Sequence, residues 1–318
     1  MIPSLQGQES SSALTFALLT ALGLGACSPT TPDLQSPKRR QNPEYPVPAS
    51  EIPNPAPLYT QDPTGERALA FSPYRPSSEV PLHARVQHVT SVGIELSFVI
   101  FDSRNYQFAV ADKEGGPDTE WPTSQAAAAA HNAVAAINAS FFDKEGQPLG
   151  LVIEEGRRIG RWNSQSALTS GVFTVEKGPR LLRRRHWRSF SPTRHLVQAG
   201  PFLVENDNLV HGLDDQKSSP RSFLVWDGRS SWAFGYTGQA TLAGLGRALA
   251  AQPLTKLSIT TALNLDGGRS SDLWVSPLIT GGPLNTRKHW NKPVRNYILL
   301  QRLPGSEAGP PQSLPVER

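Results

Sequence analysis

The sequence predicts an α+β fold, a single domain of mixed or antiparallel sheets with few helices over residues 68–304. Three observations predict it. Short apolar runs alternate with turn residues along the chain, only two segments read as helices, and the series contains no internal repeat. The roughly 235 residues from Ala68 to Leu303 are ample for a core held without disulfides.

The elements follow in chain order. Residues 1–26 read as a lipoprotein signal peptide, because Ala13 to Ala26 is an apolar run ending in Leu24-Gly25-Ala26-Cys27, a lipobox. Its 14 residues are too few to span ~30 Å of hydrocarbon as a transmembrane helix. Cys27, the only cysteine, stands where a lipid would be attached. Met1 to Ser12 departs from the usual leader in having Glu9 and no Lys or Arg. Residues 27–67 turn to Pro, Ser, Thr and Gln, with Pro46-Val47-Pro48 and Pro53-Asn54-Pro55-Ala56-Pro57 favouring extended chain, and predict a disordered tether.

Within the domain, Ile94 to Phe101 and Tyr106 to Ala111 pattern as a hairpin. The Ala-rich Ser124 to Ala133 predicts a helix leading into a short strand that ends at Asn138, and Asp143 to Gly146 a hairpin turn. Val152–Ile159, Gly171–Glu176, Phe202–Glu205, Ser222–Trp226 and Trp232–Tyr236 read as strands. Thr241–Ala251 reads as a helix with Thr at its start, and Asn296–Gln301 as the closing strand. Residues 305–318 predict a disordered tail.

Two segments carry chemistry. Leu263 to Val275, LNLDGGRSSDLWV, places Asp266 and the hydroxyls of Ser270 and Ser271 around Gly267-Gly268, between apolar runs. Glycines permit a tight turn and close approach of a ligand to backbone N–H groups, which together form an anion-binding concavity. An Asp-Gly hairpin turn capped by serines has the same spacing, and both readings stand. The second is Ala135 to Ile153, where Asn138 ends an apolar strand ahead of Phe141 and Phe142. A buried amide needs partners, so Asn138 either fixes a loop or orients substrate or water.

Taken in order, these segments and four others resemble the phosphodiester glycosidase family. The blocks are Asn138 with Phe141 and Phe142, Pro148-Leu149-Gly150, Gly200-Pro201, Pro220-Arg221, Asn264 to Ser271, and Pro293-Val294-Arg295-Asn296, spanning about residues 85 to 302. Ser222 stands where a Thr is common and keeps the hydroxyl; Arg269 stands where the family has a small residue, and its guanidinium either clamps an anion or points into solvent. The resemblance implies hydrolysis at the anomeric carbon of a sugar-1-phosphodiester. It implies a site with Asp266 and Asn138 as catalytic residues and Arg221, Gly267, Gly268, Arg269, Ser270, Ser271 and Asn296 binding substrate. A second carboxylate is not evident from spacing; Asp143 and Asp272 are candidates, though turn or solvent positions suit both.

The implied reaction requires no cofactor, but the oxygen donors would suit a Ca²⁺ or Mg²⁺ ion. The seven histidines are scattered and there is no HExxH or Cys cluster; His195 and His289 lie nearest the family blocks. The chain carries 31 Lys and Arg against 27 Asp and Glu, a net +4, with basic residues concentrated in Arg180 to Arg194. That run fits an anionic partner, envelope polymer or lipid headgroups, or else a solvated strand and loop, and Trp187 within it suggests contact with sugar. Expected partners are therefore a sugar-phosphate or glycan substrate and a membrane reached through the N-terminal lipid, with no nucleic acid. The expected location is the bacterial cell envelope, lipid-anchored and facing outside the cytoplasm.

Overall fold

The computed structural model describes residues 83–113, 120–188 and 192–303. The predicted leader, Cys27, the tether and the tail lie outside these residues. Seventeen strands, two α-helices and three short 3₁₀ turns make up the described chain, in three sheets whose strand ladders are all antiparallel. The first sheet runs β1 (Arg85–Ser91), β2 (Ile94–Asp102), β13 (Ser231–Ala240), β12 (Ser219–Trp226), β14 (Thr261–Asn264), β10 (Phe202–Glu205) and β11 (Asn208–Leu209). The second runs β16 (Leu284–Asn285), β15 (Leu273–Val275), β4 (Ala135–Asn138), β17 (Asn296–Arg302) and β3 (Tyr106–Asp112). The third runs β6 (Arg157–Ile159), β5 (Val152–Glu154), β9 (His195–Ala199), β7 (Gly171–Val175) and β8 (Pro179–Arg183).

One face of every sheet turns to a shared core, because strand residues alternate between faces. Phe101, Phe108, Phe173, Trp232 and Phe234 meet there edge to face at 4.9–6.0 Å, drawing side chains from all three sheets. The opposite faces need covers of their own. Helix α2 (Leu242–Ala250), capped by the Thr241 hydroxyl accepting from the Gly244 N–H, lays Leu245, Ala248 and Leu249 on Phe98, Phe223 and Val225 of the first sheet. Helix α1 (Ser124–Ala130), capped by Thr123, sets Ala127 and Ala128 against Ala136, Tyr297 and Leu299 of the second. The third sheet presents Leu151, Ile153, Val172 and Leu196, and its cover is the indoles of Trp162 and Trp187.

Two predicted elements differ. The predicted hairpin of Ile94–Phe101 with Tyr106–Ala111 does not form, since β2 pairs with β1 and β13 whereas β3 pairs with β17 in the second sheet. The turn is set by buried Asp102, whose carboxylate accepts from the Arg104 N–H at 2.8 Å, the Arg104 guanidinium and the Ser230 hydroxyl, and so steers the chain out of the first sheet. Val152–Ile159 is not one strand but the β5–β6 hairpin, broken at Glu155 and Gly156, both at positive φ. The helix-poor, antiparallel character predicted for the chain is what the structure has.

Candidate active site

The apolar strand β14 carries Asp266 to the place where the first and second sheets meet. The Leu265 N–H donates to the Ser222 carbonyl of β12, and the Asp266 N–H donates to the Ala139 carbonyl just past β4, so the segment bridges the two sheets. Three fully buried asparagines hold that junction. Asn138 donates through Nδ2 to the Asp266 carbonyl at 2.8 Å and accepts at Oδ1 from the Asp272 N–H at 2.9 Å, spanning the loop at both ends. Asn296 accepts from the Ser140 N–H at 2.9 Å and donates to its hydroxyl. Asn264 donates to the Gly200 and Leu265 carbonyls.

Inside this frame the Asp266 carboxyl accepts from the Ser270 hydroxyl and the Gly267 N–H, yet burial outweighs both and pushes it up to about 6. Its charge therefore changes near neutral pH. Gly268 lies at φ +64°, where an L side chain is strained, and opens the short turn Gly268–Ser270. Gly267 is needed for a different reason: a Cβ there would sit 3.3 Å from Arg221 Nη1.

Arg221 is 8% exposed, donates from Nε to the Ala240 carbonyl at 3.1 Å and from Nη2 to the Lys217 carbonyl at 2.7 Å. Among the described residues no carboxylate lies within 4.0 Å of it. Two of its nitrogens are thus spent on backbone and Nη1 stands against the glycine turn; burial disfavours the cation and the Asp214 carboxylate, beyond contact distance, offsets this only in part, which leaves a guanidinium suited to an anion. Ser222 Oγ, Asn264 Oδ1, Ser271 Oγ and, beside Gly200, Ser170 Oγ are buried without a hydrogen-bond partner, so polar groups around the turn await one.

A cleft of about 590 Å³, lined by Gln147, Pro148, Leu149, Trp162, Asn163 and Gln165 among others, opens along the segments that follow β4 and β6. Its floor joins the site through two bonded steps: Ala139 receives Asp266, and Phe141, two residues on, accepts from the Leu149 N–H at 2.8 Å. Its wall hangs on Gln198, fully buried in β9. That amide accepts from the N–H groups of Leu151 and Asn163 at 2.8 and 3.0 Å and donates to the carbonyls of Asn163 and Thr169 at 3.0 and 3.3 Å. Gly150 is what admits it, since a Cβ there would lie 2.7 Å from Gln198 Cβ.

None of the sequence-predicted site residues lines this cleft. Asp272 is fully buried and accepts from the Ser124 N–H and hydroxyl, Arg287 and Tyr297, anchoring the first turn of α1. Asp143 accepts from the Glu145 and Gln147 N–H groups within its own turn. Both carboxylates are thus engaged in the hydrogen bonds of their surroundings. Asn138 and Asn296, placed among the site residues on the sequence, are sealed beneath the site with their amides bonded to the loops they hold. Arg269 is exposed and donates to the Trp290 carbonyl at 2.9 Å. His195 is buried in the third sheet's inner face, and burial pushes its imidazole down to about 4; His289 is exposed. Among the described residues no three of His, Cys, Asp and Glu converge as a metal would need. Sequence reasoning missed Gln198, although an amide inside the apolar strand HLVQA is the same signal that singled out Asn138.

The family model for phosphodiester glycosidases matches residues 131–301, more than half of the chain and the whole of the site frame. The chain belongs to the phosphodiester glycosidase family. Among solved structures it resembles the zebrafish N-acetylglucosamine-1-phosphodiester alpha-N-acetylglucosaminidase catalytic domain, auto-inhibited by its pro-peptide. The identity is 17% over 72% of this chain and 86% of that one, with a TM-score of 0.51, a likeness of fold. Two more distant matches are a hypothetical protein from Synechocystis, at 16% identity over 68% of this chain and 61% of that one with a TM-score of 0.47, and a putative exported protein from Burkholderia pseudomallei K96243, at 12%, 65%, 74% and 0.46 respectively. No curated protein matches the sequence. Within the phosphodiester glycosidase frame, Asp266, Arg221 and the Gly267-Gly268 turn are the family-block residues that the fold brings together.

Proposed function

We propose that this phosphodiester glycosidase family member hydrolyses the glycosidic bond of a sugar-1-phosphodiester in an envelope or extracellular glycan, held at a membrane by a lipid on Cys27. The observation that carries the reading is the meeting, at one glycine turn, of a carboxyl poised near 6 with a buried guanidinium from β12 that has no carboxylate in contact. Water adds to the anomeric carbon while the bond from that carbon to the phosphate oxygen breaks, the bonding pair leaving on the phosphate. Asp266, ionised above its pKa, takes the proton from water. Arg221 Nη1 and the N–H groups of the glycine turn stabilise the charge that grows on the departing phosphate. Because a phosphomonoester leaves as an anion without being protonated, one carboxylate suffices, consistent with Asp143 and Asp272 being committed elsewhere. The products are a free sugar and a phosphomonoester.

The test is incubation of the purified protein with a panel of sugar-1-phosphodiesters, following free sugar and phosphomonoester, with and without chelator. Sugar release that is lost in Asp266→Asn and insensitive to chelator supports the reading. Intact sugar phosphate as product would mean cleavage at phosphorus and would sink it, as would glycan binding without any turnover across the panel.

A further inference from the structure

The third sheet differs from the others in having no helix on its outer face. Trp162 and Trp187 cover it instead, stacked with ring centroids 4.9 Å apart and planes 25° from parallel. Trp162 is at the same time a wall of the 590 Å³ cleft. The Trp187 indole N–H is buried with no acceptor among the described residues.

Charge is distributed around this pair unevenly. Glu176, Glu205, Glu155 and Glu154 are bound by Arg180, Arg183, Arg194 and Arg157, which uses up the carboxylates at this end of the sheet. The Arg184 N–H donates to the Ser170 carbonyl at 3.0 Å and its guanidinium to the Ser166 carbonyl, fastening the basic segment to the wall of the cleft. Arg161, in the cleft, and Arg185 and Arg188, flanking Trp187, are exposed, and among the described residues none has a carboxylate within 4.0 Å. Among the described residues Arg188 bonds to carbonyls of its own segment, those of Arg185 and Trp187, and Arg185 donates from Nε to the His186 ring at 3.1 Å. A flat aromatic face in a cleft, with exposed guanidiniums that touch no carboxylate on the covering segment, matches rings joined by negative links.

We propose that Arg161, Trp162, Arg185, Trp187 and Arg188 form a subsite for a polyanionic glycan, sugars joined by phosphodiesters, with a ring against Trp162 and flanking phosphates against the arginines. The natural substrate is then a polymer longer than the linkage cut at Asp266. That last step rests on the glycosidase reading above; the binding surface does not.

Two measurements test it. In the first, kcat/KM is compared on a linear hexose-1-phosphate polymer and on a small hexose-1-phosphate methyl diester, for the wild type and for Arg185→Gln with Arg188→Gln. The polymer-to-diester ratio is expected to fall roughly tenfold in the double variant, the loss that two exposed charge contacts supply together, and to shrink with salt. A ratio changed less than about twofold overturns the proposal. In the second, calorimetry with the Asp266→Asn protein measures binding of the same polymer, of dextran and of inorganic polyphosphate. Preference for the sugar-phosphate polymer, lost in the double arginine variant, supports the subsite. Dextran binding as tightly overturns its anionic character, and polyphosphate binding as tightly overturns its recognition of sugar. If the wild type cleaves neither substrate, the glycosidase reading fails, and the calorimetry still decides the subsite.

Discussion

Replacing Asp266 with Asn is expected to remove turnover and at the same time to stabilise the protein at neutral pH. The Asp266 carboxyl ordinarily ionises near 3.8 and in the fold near 6, because burial raises it against the Ser270 and Gly267 hydrogen bonds. A group whose folded pKa is raised binds its proton more tightly in the native state. Its unfavourable ionisation therefore costs stability above pH 6, and the cost disappears as pH falls through 6 toward 3.8. The shift corresponds to about 3 kcal/mol at most, and to about 1–3 kcal/mol once solvent screening at this partly exposed residue is allowed for. Asn keeps the shape and one acceptor without the charge. For a domain of this size the gain is a rise in Tm of roughly 3–8 °C at pH 7.5, shrinking to nothing at pH 3.5. Thermal unfolding followed by circular dichroism at the two pH values, beside the sugar-release assay, reads both effects. An Asn variant that is less stable at pH 7.5, or that is stabilised equally at pH 3.5, would refute the account of Asp266 as a carboxyl ionised against its environment.

Arg221→Lys is expected to lower kcat/KM on a phosphodiester by roughly 10²–10³-fold, because one ammonium cannot reach the Ala240 and Lys217 carbonyls and also face the glycine turn; retention of activity in kinetic assays would remove Arg221 from anion binding. Asn138→Ala leaves the Asp266 carbonyl and the Asp272 N–H without their partner and is expected to lower stability by about 2–4 kcal/mol in urea denaturation, whether or not substrate is present. His195, pushed down to about 4 by burial, contributes stability fully above pH 6.5 that is lost as pH falls from 6.5 through 4, up to about 3 kcal/mol. Between pH 6 and 4 Asp266 acts in the opposite sense, so the wild type changes little there; in Asp266→Asn a steep acid loss of the urea midpoint should emerge, and its absence would contradict the placement of His195.

How much of this was legible in the sequence depends on the range of the physics involved. The glycine turn with Asp266 could be read because φ at Gly268 and the hydroxyl at Ser270 are local matters, and the Thr caps of both helices are local too. Pairing is not local. Residues of β2 and β3 are buried on both faces, so their alternation carries no partner information, and the buried Asp102 that separates them looks like any turn aspartate. The asparagines at 138 and 296 were conspicuous as amides in apolar strands, but composition cannot say whether an amide faces a ligand or the protein's own loops; Asn138 bonds to backbone at both ends and Asn296 to the N–H and hydroxyl of Ser140. Arg221 was found through its family block, while the fact that it lacks a carboxylate partner exists only in three dimensions.

The four hydrogen bonds of Gln198 have a thermodynamic consequence. A loop that closes over ligand must surrender chain entropy at the moment of binding, of order 1–2 kcal/mol for each residue ordered. The stretch from Asn163 to Thr169 has already surrendered it during folding, to a side chain rooted in a central strand. Binding at this cleft should thus proceed as docking onto a rigid surface, with a heat-capacity change set by the contact area alone and no folding contribution.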